Sequence, residues 1–290
     1  AGVDADLLLT RQMNIALSLG RSDVLATSEG FENQEQTTYR GRAAYEYEAT
    51  PTFMLGVAAN YQHSDYTFAG RGDYASHDYT VFARMELSAS SKATASIGYG
   101  NGASDATNGA TDKIEAGAVI GSLSFDSEIW KNMTFKSSVA RLIRPGFNHG
   151  VEVADQLRGG LLWSDGFVSV GLSSALNTVE VPGANGIGYD DWQSTLAVAW
   201  PLALDAKLDV STSYSVRGAS LPAGINKEGM PSELVNDYST WINRVRATQS
   251  LMKDLSVSAY LEYVVRDSAS ASLDYDRLNV GMNLTYVYEY

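Results

Sequence analysis

The side chains best able to do chemistry in this chain are arginines and carboxylates that recur in one phase of alternating segments. Arg40, Arg42, Glu46, Arg84, Glu86, Arg158, Lys207, Asp209, Arg217, Arg244, Arg246, Glu262 and Arg266 all fall in the polar phase of their segments. In an extended chain that phase sends every one of them to the same face. Guanidinium groups gathered on the wall of a polar passage favour anions or acidic sugars. Glu46, Glu86, Asp209 and Glu262 lie in the same phase, so a mutually neutralised ion-pair network is the competing reading. Three histidines, His63, His77 and His149, raise a different chemistry, because His63 with Asp65 and His77 with Asp78 could form an Asp/His hydrolytic pair. Neighbouring acids and imidazoles beside a loop are more often plain solvated surface, and no enzymatic activity is expected. No cysteine exists, so disulfides and thiolate chemistry are excluded. No metal constellation or phosphate-cradling glycine loop is found, Gly183–Gly188 reads as loop punctuation, and no cofactor is implied.

The segments that position these residues are β-strands. The last, Arg277–Tyr290, sets Leu278, Val280, Met282, Leu284, Tyr286, Tyr288 and Tyr290 against a largely polar face of Arg277, Asn279, Gly281, Asn283, Thr285, Val287 and Glu289. That length suits a tilted strand crossing a bilayer, which takes roughly 9–11 residues in the hydrocarbon. About fourteen such segments follow one another, beginning with Gln12–Leu19, Thr37–Glu48, Phe53–Tyr66, Asp78–Leu87 and Ala93–Gly100. Lys113–Phe125 and Met133–Arg144 do not choose a face. Clear alternation returns at Val151–Trp163, Phe167–Leu176, Asp191–Trp200, Lys207–Arg217, Thr240–Leu251 and Leu255–Arg266. Connections alternate between short (Ala49–Thr52, Ser88–Lys92, Asp126–Asn132, Ser164–Gly166, Pro201–Asp205, Met252–Asp254) and long (Gly20–Gln36, Phe68–His77, Asn101–Asp112, Asn177–Asp190, Gly218–Ser239, Asp267–Asp276). Short periplasmic turns and long outer loops belong to membrane barrels. An even strand count would put both ends of the chain on the short-turn side.

Aromatic residues mark two levels. Trp130, Trp163, Trp200, Phe53, Phe125 and Phe135 stand beside short connections, while Trp192, Trp241, Tyr39, Tyr66, Tyr79 and Tyr238 stand beside long ones. Two girdles of this kind belong at two headgroup layers. A Lys or Arg on the lipid side near mid-bilayer costs roughly 2–4 kcal/mol, which explains why strand charges keep one phase. Asp155 breaks it, falling in step with Val153 and Leu157, and is expected near a rim or bulge. No apolar run is long enough for a membrane helix. The net charge of −13 excludes nucleic acid as a partner, and the acids of Ser28–Glu35 and Glu228–Asp237 fit solvated loops. Small residues at inward positions, such as Gly56, Ala58, Thr94, Ser96, Gly98, Ser211, Ser213 and Ser215, suggest an open passage. No signal peptide is visible at Ala1, as in a mature or trimmed chain.

The C-terminal stretch YLEYVVRDSASASLDYDRLNVGMNLTYVYEY, and GVAANYQHSDYTFAGRGDYASHDYTVFARMELS near the front, resemble the putative β-barrel porin 2 family. The closing hairpin also resembles the barrel of the surface lipoprotein assembly modifiers. The first resemblance implies an outer-membrane barrel, in a family some of whose members accompany exopolysaccharide synthesis and export. The expectation is therefore an all-β, transmembrane, antiparallel up-and-down β-barrel of about fourteen strands in the bacterial outer membrane. Residues 1–11 form a periplasmic lead-in and residues 12–290 the barrel. Its function would be a channel passing a polar solute or polysaccharide, with membrane lipid and lipopolysaccharide around it and polysaccharide or periplasmic export proteins as partners. The alternative is a scaffold barrel with an occluded lumen, Gly218–Ser239 folding over or into the opening; a hydrolase ranks behind both.

Overall fold

A computed structural model of the protein describes residues 2–24, 35–67, 72–105, 113–146, 150–182, 188–202, 205–220, 237–252, 255–269 and 274–286. These residues are all-β, with fifteen antiparallel strands hydrogen-bonded in the order of the sequence. The strands are β1 (Gly2–Leu8), β2 (Met13–Val24), β3 (Gln36–Thr50), β4 (Phe53–Tyr66), β5 (Tyr74–Ser88), β6 (Ser91–Ser104), β7 (Ile114–Trp130) and β8 (Met133–Pro145). They continue with β9 (Val151–Ser164), β10 (Ser169–Glu180), β11 (Gly188–Pro201), β12 (Ala206–Ser220), β13 (Tyr238–Met252), β14 (Leu255–Ser268) and β15 (Tyr275–Tyr286). His149, the acids at 28–34, most of the 218–239 segment and the aromatic residues at 288 and 290 lie outside the described residues.

The count is fifteen rather than about fourteen because residues 1–11, expected as a lead-in, contain β1. Val3, Ala5 and Leu7 sit opposite Leu19, Leu17 and Ile15, while Asp4 and Asp6 sit opposite Ser18 and Ala16. The strand alternates, but it is too short to stand out in the sequence. Its Gly2 end lies against Gly20, not on the short-connection side that an even count requires. Strands also run past the alternating stretches. β6 continues through Gly100–Ser104, where glycine and small polar residues show no hydropathy beat yet still pair with Tyr74–Asp78. β7 reaches Trp130, leaving Lys131 and Asn132 as the turn.

By compactness the chain divides into two units: Ala1–Phe125 with Ser138–Gln156 and Thr178–Gly188, and Asp126–Ser137 with Leu157–Asn177 and Tyr189–Tyr290. In the first unit, directly paired residues build continuous rows across the strands. Ile15, Tyr45, Val57, Val81 and Ile97 form one row on the apolar face, and Leu17, Ala43, Ala59, Tyr79 and Tyr99 the next. The second unit has its counterpart in Val210, Val245, Leu261 and Val280, the last 73% exposed. Apolar surface on this scale is intolerable in water and natural against hydrocarbon. At the long-connection end of the same face, the Tyr214 ring lies between Trp192 and Trp241, with centroids 5.9 and 4.8 Å away. The Trp192 indole N–H donates to Ser174 Oγ at 2.9 Å, so an amphipathic ring is satisfied at the level expected of a headgroup layer.

The opposite face of the first unit is polar but not vacant. Asn14, Glu46, Gly56, Phe82 and Ser96 form one row, and the Phe82 ring covers Gly56 so closely that a Cβ there would meet its Cζ at 2.3 Å. Ala44, Ala58 and Phe82 are buried together, with Ala16 and Met54 against them. The small residues at 56 and 58, expected to leave open space, instead seat an aromatic ring. A second cluster of Tyr74, Ala116, Val151 and Val153 is joined by Tyr66, Ile114, Ala118 and Ile143. Tyr66, expected in the outer girdle, packs here.

Several short connections share one device. The register shifts next to the turn, between Glu48 and Thr50, Glu86 and Ser88, and Ser250 and Met252, a bulge that adds twist where the chain reverses. The β9–β10 turn is closed differently: Asp165 Oδ1 accepts from the N–H groups of Phe167 and Val168, both at 2.8 Å. Gly166 between them takes φ +89, a left-handed conformation that suits glycine.

Two predictions follow from these contacts. Gly56→Val should overpack the Phe82 ring and destabilise the detergent-folded protein by about 1–3 kcal/mol in urea unfolding. Phe82→Ala in the same chain should recover part of that loss; strict additivity would contradict the packing. Separately, the Val168 and Phe167 N–H groups hold the Asp165 carboxyl below the usual aspartate range. A depressed carboxyl stabilises the turn above its ordinary pKa, and the contribution is lost as pH falls through the lowered value. An NMR titration should place the Asp165 midpoint below that of a free aspartate, and a normal midpoint would contradict the closure.

Candidate functional site

The polar face of β12–β15, within the second unit, gathers most of the expected cationic residues. Its rows follow from the register, starting at the short-connection end. Lys207, Thr248, Ser258 and Asn283 come first, then Asp209, Arg246, Tyr260 and Gly281. Ser211, Arg244, Glu262 and Asn279 follow, then Ser213, Ile242, Val264 and Arg277, then Ser215, Thr240, Arg266 and Tyr275. At the long-connection end stand Arg217, Tyr238 and Ser268. A pocket of about 300 Å³ opens among Ser169, Gly171, Asp209, Ser211, Arg244 and Arg246.

The carboxylates on this face are consumed locally. Glu262 takes the Arg244 Nε at 2.9 Å and the Asn279 Nδ2 at 2.9 Å. Asp209 pairs with Lys207 at 2.7 Å. Tyr260 occupies the space that a side chain at position 281 would need, with a Cβ there meeting the ring at 2.4 Å. Arg217, Arg246 and Arg266 form no ion pair among the described residues, and their Nε atoms are buried without a hydrogen-bond partner. Aromatic rings hold two of them: Arg217 stands over Tyr189 at 4.0 Å and Tyr238 at 5.4 Å, and Arg266 over Tyr238 at 3.9 Å. Stacking of this kind holds the cation without neutralising it.

In the first unit the predicted residues also share one face, and both of their acids are ion-paired. Arg84 lies 3.6 Å from Glu46 and 5.3 Å from the Phe82 ring, and Lys92 lies 3.1 Å from Glu86. Arg42 stands 5.8 Å from Phe82, and Arg40 donates to Gln62 at 3.5 Å. Arg158, on β9 in the second unit, is exposed. Asp155, the residue out of phase, is bound by Arg141 at 3.1 Å, and Arg141 also reaches Glu180 at 3.5 Å. Glu152, 4% exposed, receives the Arg144 Nε at 3.0 Å. The described residues thus hold ion pairs in one set of side chains and, in another, arginines without a carboxylate partner.

The rim Asp/His pairs are placed differently from each other. His63 Nε2 lies 2.5 Å from Asp65 Oδ1 on the face opposite Ser64, whose Oγ is 3.1 Å from Thr38 Oγ1. His77 packs edge-on against Tyr79 at 5.9 Å. Asp78 points to the other face and accepts from Asn60 Nδ2 at 2.6 Å, so the expected His77/Asp78 pair is separated by the sheet. Sequence reasoning missed the roles of Tyr189, Tyr238, Tyr260 and Asn279. Tyr238 was expected in the lipid-facing girdle, yet it shares the phase of Arg244 and Arg246, which was the available signal.

No protein-family model and no curated protein matches the chain. Among solved structures, it is similar to the FrpB iron transporter from Neisseria meningitidis (F3-3 variant), with TM-score 0.56, 12% identity, 87% of this chain covered and 47% of that one. It is likewise similar to the copper transporter OprC, with TM-score 0.54, 13% identity, 94% of this chain covered and 53% of that one. The chain spans about half the length of these proteins. Both are outer-membrane β-barrels, so the fold is an outer-membrane β-barrel fold, and the bacterial outer membrane is the location that goes with it.

Removing the Glu262 carboxylate tests the local neutralisation. Glu262→Gln should cost about 1–3 kcal/mol in urea unfolding, the usual range for a charge-assisted hydrogen bond, with a smaller cost for Asn279→Ala. Equal stability of wild type and Glu262→Gln would mean that the Arg244 pairing contributes nothing.

Proposed function

We propose that the protein is an outer-membrane transport barrel whose β12–β15 face guides anionic polar solutes, acidic sugars among them. The observation that carries this reading is the charge balance of that face. Among the described residues of that face, Lys207, Arg217, Arg244, Arg246, Arg266 and Arg277 stand against only Asp209 and Glu262. This occurs in a chain whose overall charge is −13. In an acidic protein, a polar strip on which cations outnumber carboxylates presents a local field opposite to the net charge, and such a strip concentrates anions. The likeness to outer-membrane transporters supports the transport part of the reading. The iron and copper in the names of those neighbours are not carried over, because a cationic wall repels a bare metal ion.

A scaffold barrel is the second reading, and the apolar clusters on the polar side of the first unit favour it. Planar-bilayer recordings separate the two. Under a salt gradient the transport reading predicts stable conductance with a reversal potential on the anion side. That potential should move toward zero when Arg217, Arg246 and Arg266 are each changed to Gln. Cation preference would overturn the anion-guiding reading, and absence of conductance from folded protein would favour the scaffold.

A further inference from the structure

At the long-connection end of the same strands, arginine and tyrosine alternate from one strand to the next. Tyr189 on β11 carries Arg217 of β12 over its ring, Arg217 pairs in register with Tyr238 of β13, and Tyr238 carries Arg266 of β14. Arg266 in turn pairs in register with Tyr275 of β15. Adjacent strands lie about 4.8 Å apart, so the row is a continuous band. Two guanidinium groups stand within 5.4 Å of one ring centroid, and no carboxylate among the described residues pairs with either. Asp267 and Asp276 are in register with Ser239 and Val265, on the opposite face. Asp191 shares the phase of Tyr189 two residues further along β11, yet makes no ion pair among the described residues.

Bringing two like charges together without a counter-ion costs energy, and burying both Nε atoms without a partner adds to it. The stacked rings fix the guanidinium planes and take up none of their terminal donors. An arrangement that spends stability to hold two oriented, unpaired forks is preorganised for an oxyanion, which accepts two N–H groups from each planar fork.

We propose that Arg217 and Arg266, held by Tyr189 and Tyr238, form a binding site for a carboxylate- or phosphate-bearing solute at the long-connection end of the polar face. The site deepens the anion-guiding reading and rests on it for its role in passage, but its existence is tested by binding rather than by current. Tyr189 and Tyr238 act as positioning residues, setting the guanidinium planes without meeting the oxyanion.

Isothermal titration of detergent-folded protein provides the test, with glucuronate and inorganic phosphate as anionic probes and glucose as the neutral one. At least one anionic probe should bind saturably and glucose should not; which anion binds identifies the source of the oxyanion. The double change Arg217→Gln with Arg266→Gln should weaken binding about tenfold or more. Tyr238→Leu should weaken it about threefold, while Arg11→Gln with Lys131→Gln, which removes an equal charge at two short connections, should leave it unchanged. Circular dichroism of each variant checks that the strands are retained. Failure of both anions to bind would overturn the proposal, as would an Arg11→Gln with Lys131→Gln loss matching that of the arginine double variant. Saturable binding without conductance would sustain the site and refute transport, whereas anion-selective conductance without saturable binding would do the reverse.

Discussion

Hydrocarbon offers no hydrogen bonds, so every backbone N–H and C=O that crosses it must find a partner in a neighbouring strand. This constraint dictates the rest of the molecule. It requires strands that pair without interruption through glycine-rich stretches such as Gly98–Ser104, where side chains give no reason to be extended but the ladder does. Once the backbone is fixed as sheet, the two-residue period sorts side chains between the faces. Val57, Val81 and Ile97 can then be exposed and stable at once.

The polar face has to solve a second problem, since a sheet of this kind brings large and small side chains into direct register. The pairs Gly56 with Phe82 and Gly281 with Tyr260 solve it in the same way, with a ring laid across a residue that has no Cβ. Smallness on this face is therefore a packing requirement as much as a source of open space. Charge is handled with similar economy. Glu262 serves Arg244 and Asn279, whereas Arg217 and Arg266 are held by aromatic rings instead. The uneven distribution of acids is what turns one strip of the face into an electrostatic feature.

The parts of this arrangement that depend on a two-residue repeat were legible in the sequence. Alternation marks twelve of the fifteen strands clearly, β7 and β8 being the segments that choose no face, and common phase puts Arg244, Arg246, Glu262 and Arg266 on one face. What depends on register between strands was not legible, because a sequence shows which face a residue joins but not which residue lies opposite. Tyr238 illustrates the limit: an aromatic beside a long connection looks like a girdle residue, and only its pairing with Arg217 reveals another role. The pairing of Glu46 with Arg84, rather than with Arg40 or Arg42 of its own strand, is hidden for the same reason. β1 escaped notice because a seven-residue strand carries little periodic signal.

The sorting of side chains between oil and water is the claim on which all else stands, and the absence of cysteine makes it directly measurable. Single cysteines placed in turn from residue 257 to residue 265 of β14, in protein folded into lipid vesicles, can be probed with a charged thiol reagent and a lipid-soluble quencher of an attached label. The account predicts strict alternation. Positions 258, 260 and 262 should react with the charged reagent, and positions 257, 259, 261 and 263 should respond to the quencher. Uniform reactivity along the strand, or the opposite phase, would contradict it.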